Sequence, residues 1–172
     1  EGKRAAELLT VLKAREYGFE AKIPRCFAFV GPYQKLDGQW AIGNFIRDGL
    51  HGGPVIVKGD GTAIRSYMYA ADLMIFLWTI FFKGESCTPY NVGSAKGINI
   101  RSLARLVSSV LKLKKDIVIS RKPDIKAEID RYVPSTKRAQ RKLKLKQRIT
   151  LREAVKKTIK YIKFTEGSKS DE

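Results

Sequence analysis

The sequence has very few of the residues that metal and disulfide chemistry require. Of its 172 residues, two are cysteines and one is a histidine. Cys26 and Cys87 lie far apart in apolar or loop surroundings and form no Cys-x-x-Cys pair, which favours reduced thiols and a cytoplasmic location. With His51 as the sole histidine, too few ligands remain for a zinc site. We therefore expect no bound metal.

The sequence also lacks an apolar run of membrane-spanning length. Its most hydrophobic stretch, residues 66–84, carries no charge between Leu73 and Phe82. Crossing the hydrocarbon takes about 20 apolar residues, however. We interpret the stretch as a helix that is hydrophobic on most sides and packed inside the protein, and we expect no membrane partner.

Acidic residues are scarce as well, with 17 Asp and Glu against 34 Lys and Arg, so the net charge is +17. The excess is concentrated between Arg121 and Lys163. Clustered cations gain affinity for nucleic acid by displacing phosphate counterions, so a non-enzymatic nucleic-acid-binding module is an alternative function. No known DNA- or RNA-binding motif accompanies the charge, which favours a solvated basic surface that attracts phosphorylated small molecules.

The chain opens on a helical pattern. Ala5, Leu8, Leu9 and Leu12 recur at the spacing of a helix that buries one face, and Gly18 stands where such a helix would end. No upstream segment supplies the surface that this face would pack against. The opening therefore suggests a fragment of a longer protein.

Helical and extended patterns alternate along the rest of the chain, which predicts an α/β fold. Strands are predicted within residues 22–32, 54–62, 89–94 and 116–120, and helices within residues 41–53 and 66–84. Asn99 is predicted to cap the next helix, Ser135 to begin a short basic helix, and Thr150 with Glu153 to form a capping box. Residues 165–172 are expected to fray.

Five stretches then occur in an informative order: GKRAAE from Gly2, RCFAFVGPY from Arg25, GDGTAIRSYMYAADL from Gly59, PYNVGS from Pro89 and RYVPSTKRA from Arg131. In order and approximate spacing they resemble the extended short-chain dehydrogenase/reductase family of nucleotide-sugar epimerases, dehydratases and decarboxylases. Within that family the chain looks most similar to dTDP-glucose 4,6-dehydratases and UDP-glucuronate decarboxylases. The resemblance runs from Lys3 to about Ile162.

The resemblance implies the C-terminal part of a Rossmann-fold sheet, residues 1–33 and 67–97, and a smaller α/β nucleotide-sugar-binding lobe, residues 34–66 and 98–172. The family acts as lyases or isomerases by transiently oxidising a UDP- or dTDP-linked sugar with NAD. No GxxGxxG dinucleotide loop occurs in this sequence. The tyrosine of the family's Tyr-x-x-x-Lys pair would lie two residues before Glu1. The chain alone is therefore expected to be inactive.

The resemblance also implies which residues carry the chemistry. Lys3 occupies the lysine position, where an ammonium lowers the pKa of the catalytic tyrosine and binds the nicotinamide ribose. Arg65 and Arg131 match arginines that contact the diphosphate, whose oxygens suit the planar guanidinium.

Further positions concern the base and the sugar. Asn44 matches the helix start near the diphosphate or base, and Val57 and Lys58 match the stretch that flanks the nucleobase. Ala28 stands where the family pattern has an asparagine near the sugar. Asp72 is retained, and we expect it to cap the start of its own helix.

A C-terminal half of this kind would lack the central strands of its sheet. The strands within residues 22–31 and 89–94 would then have unpaired edges and exposed apolar faces. Association with the missing N-terminal half, or a homodimer, is expected. The nucleobase and the sugar remain open, as does the choice among epimerisation, dehydration and decarboxylation.

Overall fold

The computed structural model describes residues 1–114, 117–124 and 127–167. Its helices are α1 (Gly2–Tyr17), α2 (Ala41–Leu50), α3 (Ala70–Lys83), α4 (Ile100–Leu111), α5 (Lys137–Leu143) and α6 (Leu151–Gly167). Its strands are β1 (Ile23–Cys26), β2 (Phe29–Val30), β3 (Ile56–Val57), β4 (Ile64–Arg65), β5 (Met68–Tyr69), β6 (Pro89–Val92), β7 (Ile98–Asn99), β8 (Val118–Ile119) and β9 (Arg131–Tyr132).

Most strand pairs are parallel. β1 pairs with β6, β2 with β5 and β3 with β8, all in parallel, while β4 lies between antiparallel β7 and parallel β9. Parallel strands need long crossover connections, and helices α2 and α3 lie within the connections that lead from β1 to β6. This arrangement confirms the predicted α/β class.

Two hydrophobic clusters form the interior. The first packs α2, α4 and α6 together through residues such as Phe45, Leu103 and Val155, which are almost fully buried. The second packs α3 and α5 against β6 around Phe76 and Tyr90. The helices of the first cluster are amphipathic, so each supplies one apolar stripe to the shared core.

Capping residues in the sequence predicted several helix ends correctly. The Asn99 side chain accepts a hydrogen bond from the backbone N–H of Ser102 at 2.7 Å, which confirms the cap of α4. The backbone N–H of Thr150 donates to Glu153 Oε2 at 2.9 Å, and the backbone N–H of Glu153 donates to Thr150 Oγ1 at 3.3 Å. These two bonds form the predicted capping box. Gly18 ends α1 in the left-handed conformation.

The apolar face of α1 is uncovered, and the predicted burial of α3 is wrong. On α1, Leu8, Leu9 and Leu12 are exposed, because no element in the described ranges covers that face. On α3, only the stripe of Asp72, Phe76 and Ile80 is buried. The remaining apolar side chains of α3 are exposed or half-buried. The helix is hydrophobic on most sides, as predicted, but only one side of it is packed inside the protein.

The predicted strand at residues 22–32 is two strands, because the chain changes partners between them. The backbone N–H of Phe27 still bonds to Val92 of β6, whereas the carbonyl of Ala28 accepts from Met68 of β5. Most of β1 is exposed rather than buried.

Three smaller predictions at local ends need correction. The residue that precedes α5 is Thr136 rather than Ser135. α6 continues to Gly167, so residues 165–167 are helical rather than frayed, and the rest of that tail lies outside the described residues. Asp72 does not cap its own helix, because its carboxylate accepts from the backbone of Arg148 and Ile149.

The apolar helix α3 is 14 residues long. In the described part of the chain, no helix has both the length and the hydrophobicity that a bilayer crossing requires.

Candidate functional site

Lys3 lies close to the carboxyl end of β1. It is an exposed residue in the first turn of α1, and its ammonium is near enough to Cys26 to act on that thiol electrostatically. Partial burial raises the pKa of the Cys26 thiol, and the Lys3 charge opposes part of that rise. In open parallel sheets ligands bind at the carboxyl ends of the strands. Lys3 therefore stands at the edge where a ligand is expected.

An aromatic pair connects this edge to the three-stranded β7–β4–β9 sheet. Phe27 follows β1 directly, and its ring centroid lies 4.8 Å from that of Tyr132 on β9. β9 pairs with β4 in a register that places Tyr132 beside Arg65. The Phe27–Tyr132 contact thus brings the end of β1 and the strand that carries Arg65 into one region.

Arg65 is held by an acidic neighbour. Its Nη2 donates to Asp130 Oδ2 at 2.5 Å, and its Nη1 donates to the Asp130 carbonyl at 3.0 Å. The Asp130 side chain is 70% exposed, so water and anions can reach the pair. An exposed ion pair of this kind is weak and can exchange its carboxylate for another anion.

Arg131 lies on the strand beside Arg65, but it starts from the other face of the sheet. The register pairs Arg131 with Ile64 and Arg65 with Tyr132, and successive side chains of a strand alternate between faces. A Cβ placed on Gly97 would lie 2.9 Å from Ile64 Cγ2, which is too close, and 3.5 Å from Arg131 Nη1, which is an ordinary contact distance. The structure brings the two arginines onto adjacent strands without joining their side chains.

The other three predicted positions lie on α2 and at the end of β3. Asn44 Nδ2 donates to the Gly38 carbonyl at 3.0 Å, and its Oδ1 accepts from Arg47 at 3.3 Å. The Val57 side chain is buried in the first hydrophobic cluster, whereas Lys58 is exposed. Lys58 is thus the most accessible of the three, and Asn44 is engaged with its own loop and helix.

A cavity of about 200 Å³ adjoins the aromatic pair. It is lined by Phe27, Ala28, Phe29, Gln34, Trp40 and Tyr67. Burial raises the pKa of Tyr67 to about 12, and the nearby Arg65 opposes part of that rise. The phenol therefore stays neutral at physiological pH.

Several residues of this region escaped the sequence analysis. Phe27, Tyr67, Asp130 and Tyr132 were not singled out, although each lies within two residues of a position that was. Phe27 and Tyr132 are far apart in sequence, and periodicity carries no information about such a contact. The one sequence feature that could have indicated this contact is that Phe27 and Tyr132 are aromatic residues directly beside Cys26 and Arg131.

A parallel α/β fold with basic side chains near its strand ends places those side chains where open sheets of this kind bind their ligands. The model of the NAD dependent epimerase/dehydratase family matches residues 1–93 of the 172. The chain belongs to this family.

Relatives in plants support the assignment. UDP-glucuronic acid decarboxylase 1 of Arabidopsis thaliana is 30% identical over 92% of this chain, and the match covers 36% of that protein. UDP-glucuronic acid decarboxylase 6 of the same plant is 32% identical over 73% of this chain and 39% of its own length. The chain thus spans little more than a third of the curated relatives it matches.

Solved structures match the fold closely. UDP-glucose 4-epimerase of Thermotoga maritima, solved with UDP-glucose, superposes with a TM-score of 0.84 at 26% identity, over 95% of this chain and 52% of the other. For dTDP-glucose 4,6-dehydratase of Bacillus anthracis, solved with NAD, the TM-score is 0.80 at 19% identity, over 94% and 50% of the two chains. At that lower identity the likeness concerns the fold alone.

The residues present do not form a pyrophosphate cradle for NAD. Such a cradle needs glycines in a strand-to-helix turn, where the backbone approaches the phosphates. Within the described ranges, β5 runs directly into α3 and β7 directly into α4 with no glycine at either junction, and the connection from β2 to α2, which contains Gly31 and Gly38, is a long loop rather than a tight turn. The described part of this chain therefore supplies no pyrophosphate site for NAD.

Proposed function

We propose that this chain forms the nucleotide-sugar-binding part of an NAD-dependent nucleotide-sugar epimerase/dehydratase located in the cytoplasm. Residues 34–66 and 98–172 supply the substrate lobe, and residues 1–33 and 67–97 supply part of the Rossmann domain. The observation that carries the proposal is the Phe27–Tyr132 contact, since it joins the Lys3 end of β1 to the paired strands of Arg65 and Arg131. The UDP-sugar names of the relatives point to a UDP-linked sugar as substrate.

Two guanidinium groups on adjacent strands suit a diphosphate. Arg65 would release the exposed carboxylate of Asp130 and bind phosphate oxygens with the same planar donors. Arg131 starts from the opposite face of the sheet, so we propose that its long side chain reaches the diphosphate around the end of β9 and supplies a second positive charge. Lys58 and the backbone around Val57 would flank the base. Asn44 would place a polar group near the diphosphate or the base.

Lys3 would take part in the reaction at the other end of the site. An ammonium at the carboxyl end of β1 can stabilise a tyrosinate and hold the nicotinamide ribose through hydrogen bonds. The sequence contains no dinucleotide loop, so we propose that the chain alone binds substrate without turning it over.

A complementary polypeptide would complete the sheet. In the described ranges β1 pairs only with β6, so its other edge is free to accept a parallel strand. A groove of about 440 Å³ lies beside that edge and is lined largely by apolar side chains, including Pro24, Leu77 and Phe81. We propose that an N-terminal half of the enzyme, or a second copy in a homodimer, pairs with this edge and covers the part of the groove next to Pro24 and Leu77.

Calorimetric titration of the purified chain with UDP, UDP-glucuronic acid and dTDP-glucose tests the substrate-binding proposal. We expect a UDP compound to bind, and Arg65→Ala and Arg131→Ala each to weaken binding by roughly tenfold or more, since a charge-assisted bond contributes about 1.5–3 kcal/mol.

Arg105→Ala is the matched control, because Arg105 is equally basic and exposed on α4. The proposal is contradicted if no nucleotide binds, or if the Arg105 variant weakens binding as much as the other two. Tight binding of DNA duplexes of any sequence, with a steep loss in salt, would support the nucleic-acid-binding alternative.

A further inference from the structure

The outer face of α3 carries an apolar stripe that the nucleotide site does not use. Ile75, Trp78 and Phe82 follow one another at helical spacing, and all three are exposed, with Phe82 at 71%. They lie away from the buried stripe of Asp72, Phe76 and Ile80. The Trp78 and Phe82 rings stack at 5.7 Å, and the Phe81 ring meets both edge-on.

A strongly basic segment lies near the C-terminal end of α3, where Glu85 follows the helix. α5 packs against α3 in the second hydrophobic cluster, where Ala139 and Leu145 contact the same core as Phe76 and Ile80. Residues 137–148 contain no acidic residue. Their exposed basic residues are Lys137, Arg138, Arg141, Lys142, Lys144, Lys146 and Arg148. Glu85 faces this segment and pairs with Lys142 at 3.8 Å.

We propose that α3 and α5 form a peripheral binding surface for an anionic lipid bilayer. Tryptophan and phenylalanine on one helix face, next to lysine and arginine, are the combination that holds helices in the headgroup region. The aromatic stripe would enter the interface, and the α5 cations would contact acidic headgroups. Our expectation of no membrane partner rested on the lack of a spanning helix, and peripheral binding needs none.

Charge argues against a second copy as the occupant of this face. Every copy carries a net charge of +17, so bringing two α5 segments together is repulsive. The packing of the rings argues against single-stranded RNA, which binds by stacking its bases on open aromatic faces. Here Trp78 and Phe82 already stack on each other, and aliphatic Ile75 extends the stripe.

Vesicle flotation tests the proposal on the whole chain. The vesicles are phosphatidylcholine alone, and phosphatidylcholine with one third phosphatidylglycerol. We expect at least about tenfold stronger binding to the anionic vesicles, since each lysine or arginine near such a surface adds about fivefold. In a Trp40→Phe background, Trp78 fluorescence should shift to the blue on binding.

Two pairs of matched variants separate the contributions. Ile75→Ser, Trp78→Ser and Phe82→Ser combined should lower affinity at least tenfold, whereas Leu8→Ser, Leu9→Ser and Leu12→Ser combined remove equally exposed apolar residues from α1 and should not. Lys144→Ser with Lys146→Ser should weaken binding, and Lys160→Ser with Lys163→Ser on α6 should weaken it less. Circular dichroism checks folding, and UDP binding should persist in every variant.

Three results would overturn the proposal. The first is an absence of flotation with anionic vesicles, and the second is equal loss in the α3 and α1 variants. The third is an α3 variant that loses poly(U) binding or dissociates a dimer while vesicle binding is unchanged, which would assign the face to RNA or to a second copy.

Discussion

Asp72 shows how a single buried residue joins distant parts of the chain. Its side chain is almost fully buried, and its carboxylate accepts hydrogen bonds from the backbone N–H groups of Arg148 at 3.1 Å and Ile149 at 2.9 Å. These donors belong to the segment that leads into α6. Asp72 therefore fastens the start of α3 to the approach of the last helix.

Replacement of Asp72 by alanine should leave two backbone donors buried without acceptors. Such a loss costs about 1–3 kcal/mol for each unsatisfied group, and water entry reduces the sum. We expect Asp72→Ala to lower the free energy of unfolding in urea by about 2 kcal/mol or more. The exposed Asp37→Ala should stay within about 0.5 kcal/mol of the unaltered protein. Equal stability of the two variants would contradict the structural role of Asp72.

At the scale of elements, α1 is the helix with the weakest attachment. Ala14 is its only buried residue, and its polar link to β1 is the contact between Glu7 and Arg25. Arg25 Nε donates to Glu7 Oε2 at 2.9 Å, and these hydrogen bonds lower the pKa of the Glu7 carboxyl below its ordinary value of 4.5. Because α1 carries Lys3, this contact also positions the proposed catalytic end of the site.

The attachment of α1 should therefore depend on pH. A lowered folded-state pKa means that the Glu7–Arg25 stabilisation is complete above about pH 4.5 and is lost as the pH falls through the lower folded value. Hydrogen-exchange protection factors of α1 amides, corrected for intrinsic rates, should decrease over this range. Glu7→Gln and Arg25→Gln should each remove that decrease. An unchanged acid dependence in either variant would contradict the role of the pair.

Elements with local signals could be predicted from the sequence, whereas their exposure could not. Asn99 and the Thr150–Glu153 box place helix starts because capping is a contact between neighbouring residues. The spacing of Leu8 and Leu12 indicates a shared helix face but says nothing about what covers it. The Phe27–Tyr132 contact joins distant segments, so only the folded chain reveals that part of the site.

At the scale of the whole molecule, two hydrophobic clusters hold the helices against the strands. The first cluster holds α2, α4 and α6 together, and it includes Val57 and Tyr67. The second cluster holds α3 and α5 on β6, next to the free edge of β1. The first cluster takes in Ala28, Val30 and Tyr67 of the predicted Rossmann part, and the second takes in Ala139 and Leu145 of the predicted substrate lobe, so packing in this chain crosses the predicted division.

Hydrogen exchange of the whole chain with and without UDP tests the central claim most directly. The account predicts slower exchange at residues 56–58, 64–65 and 131–132, where the base and the diphosphate would bind, with little change on the outer face of α3. Slower exchange confined to the basic helices α5 and α6, or no change anywhere, would contradict it.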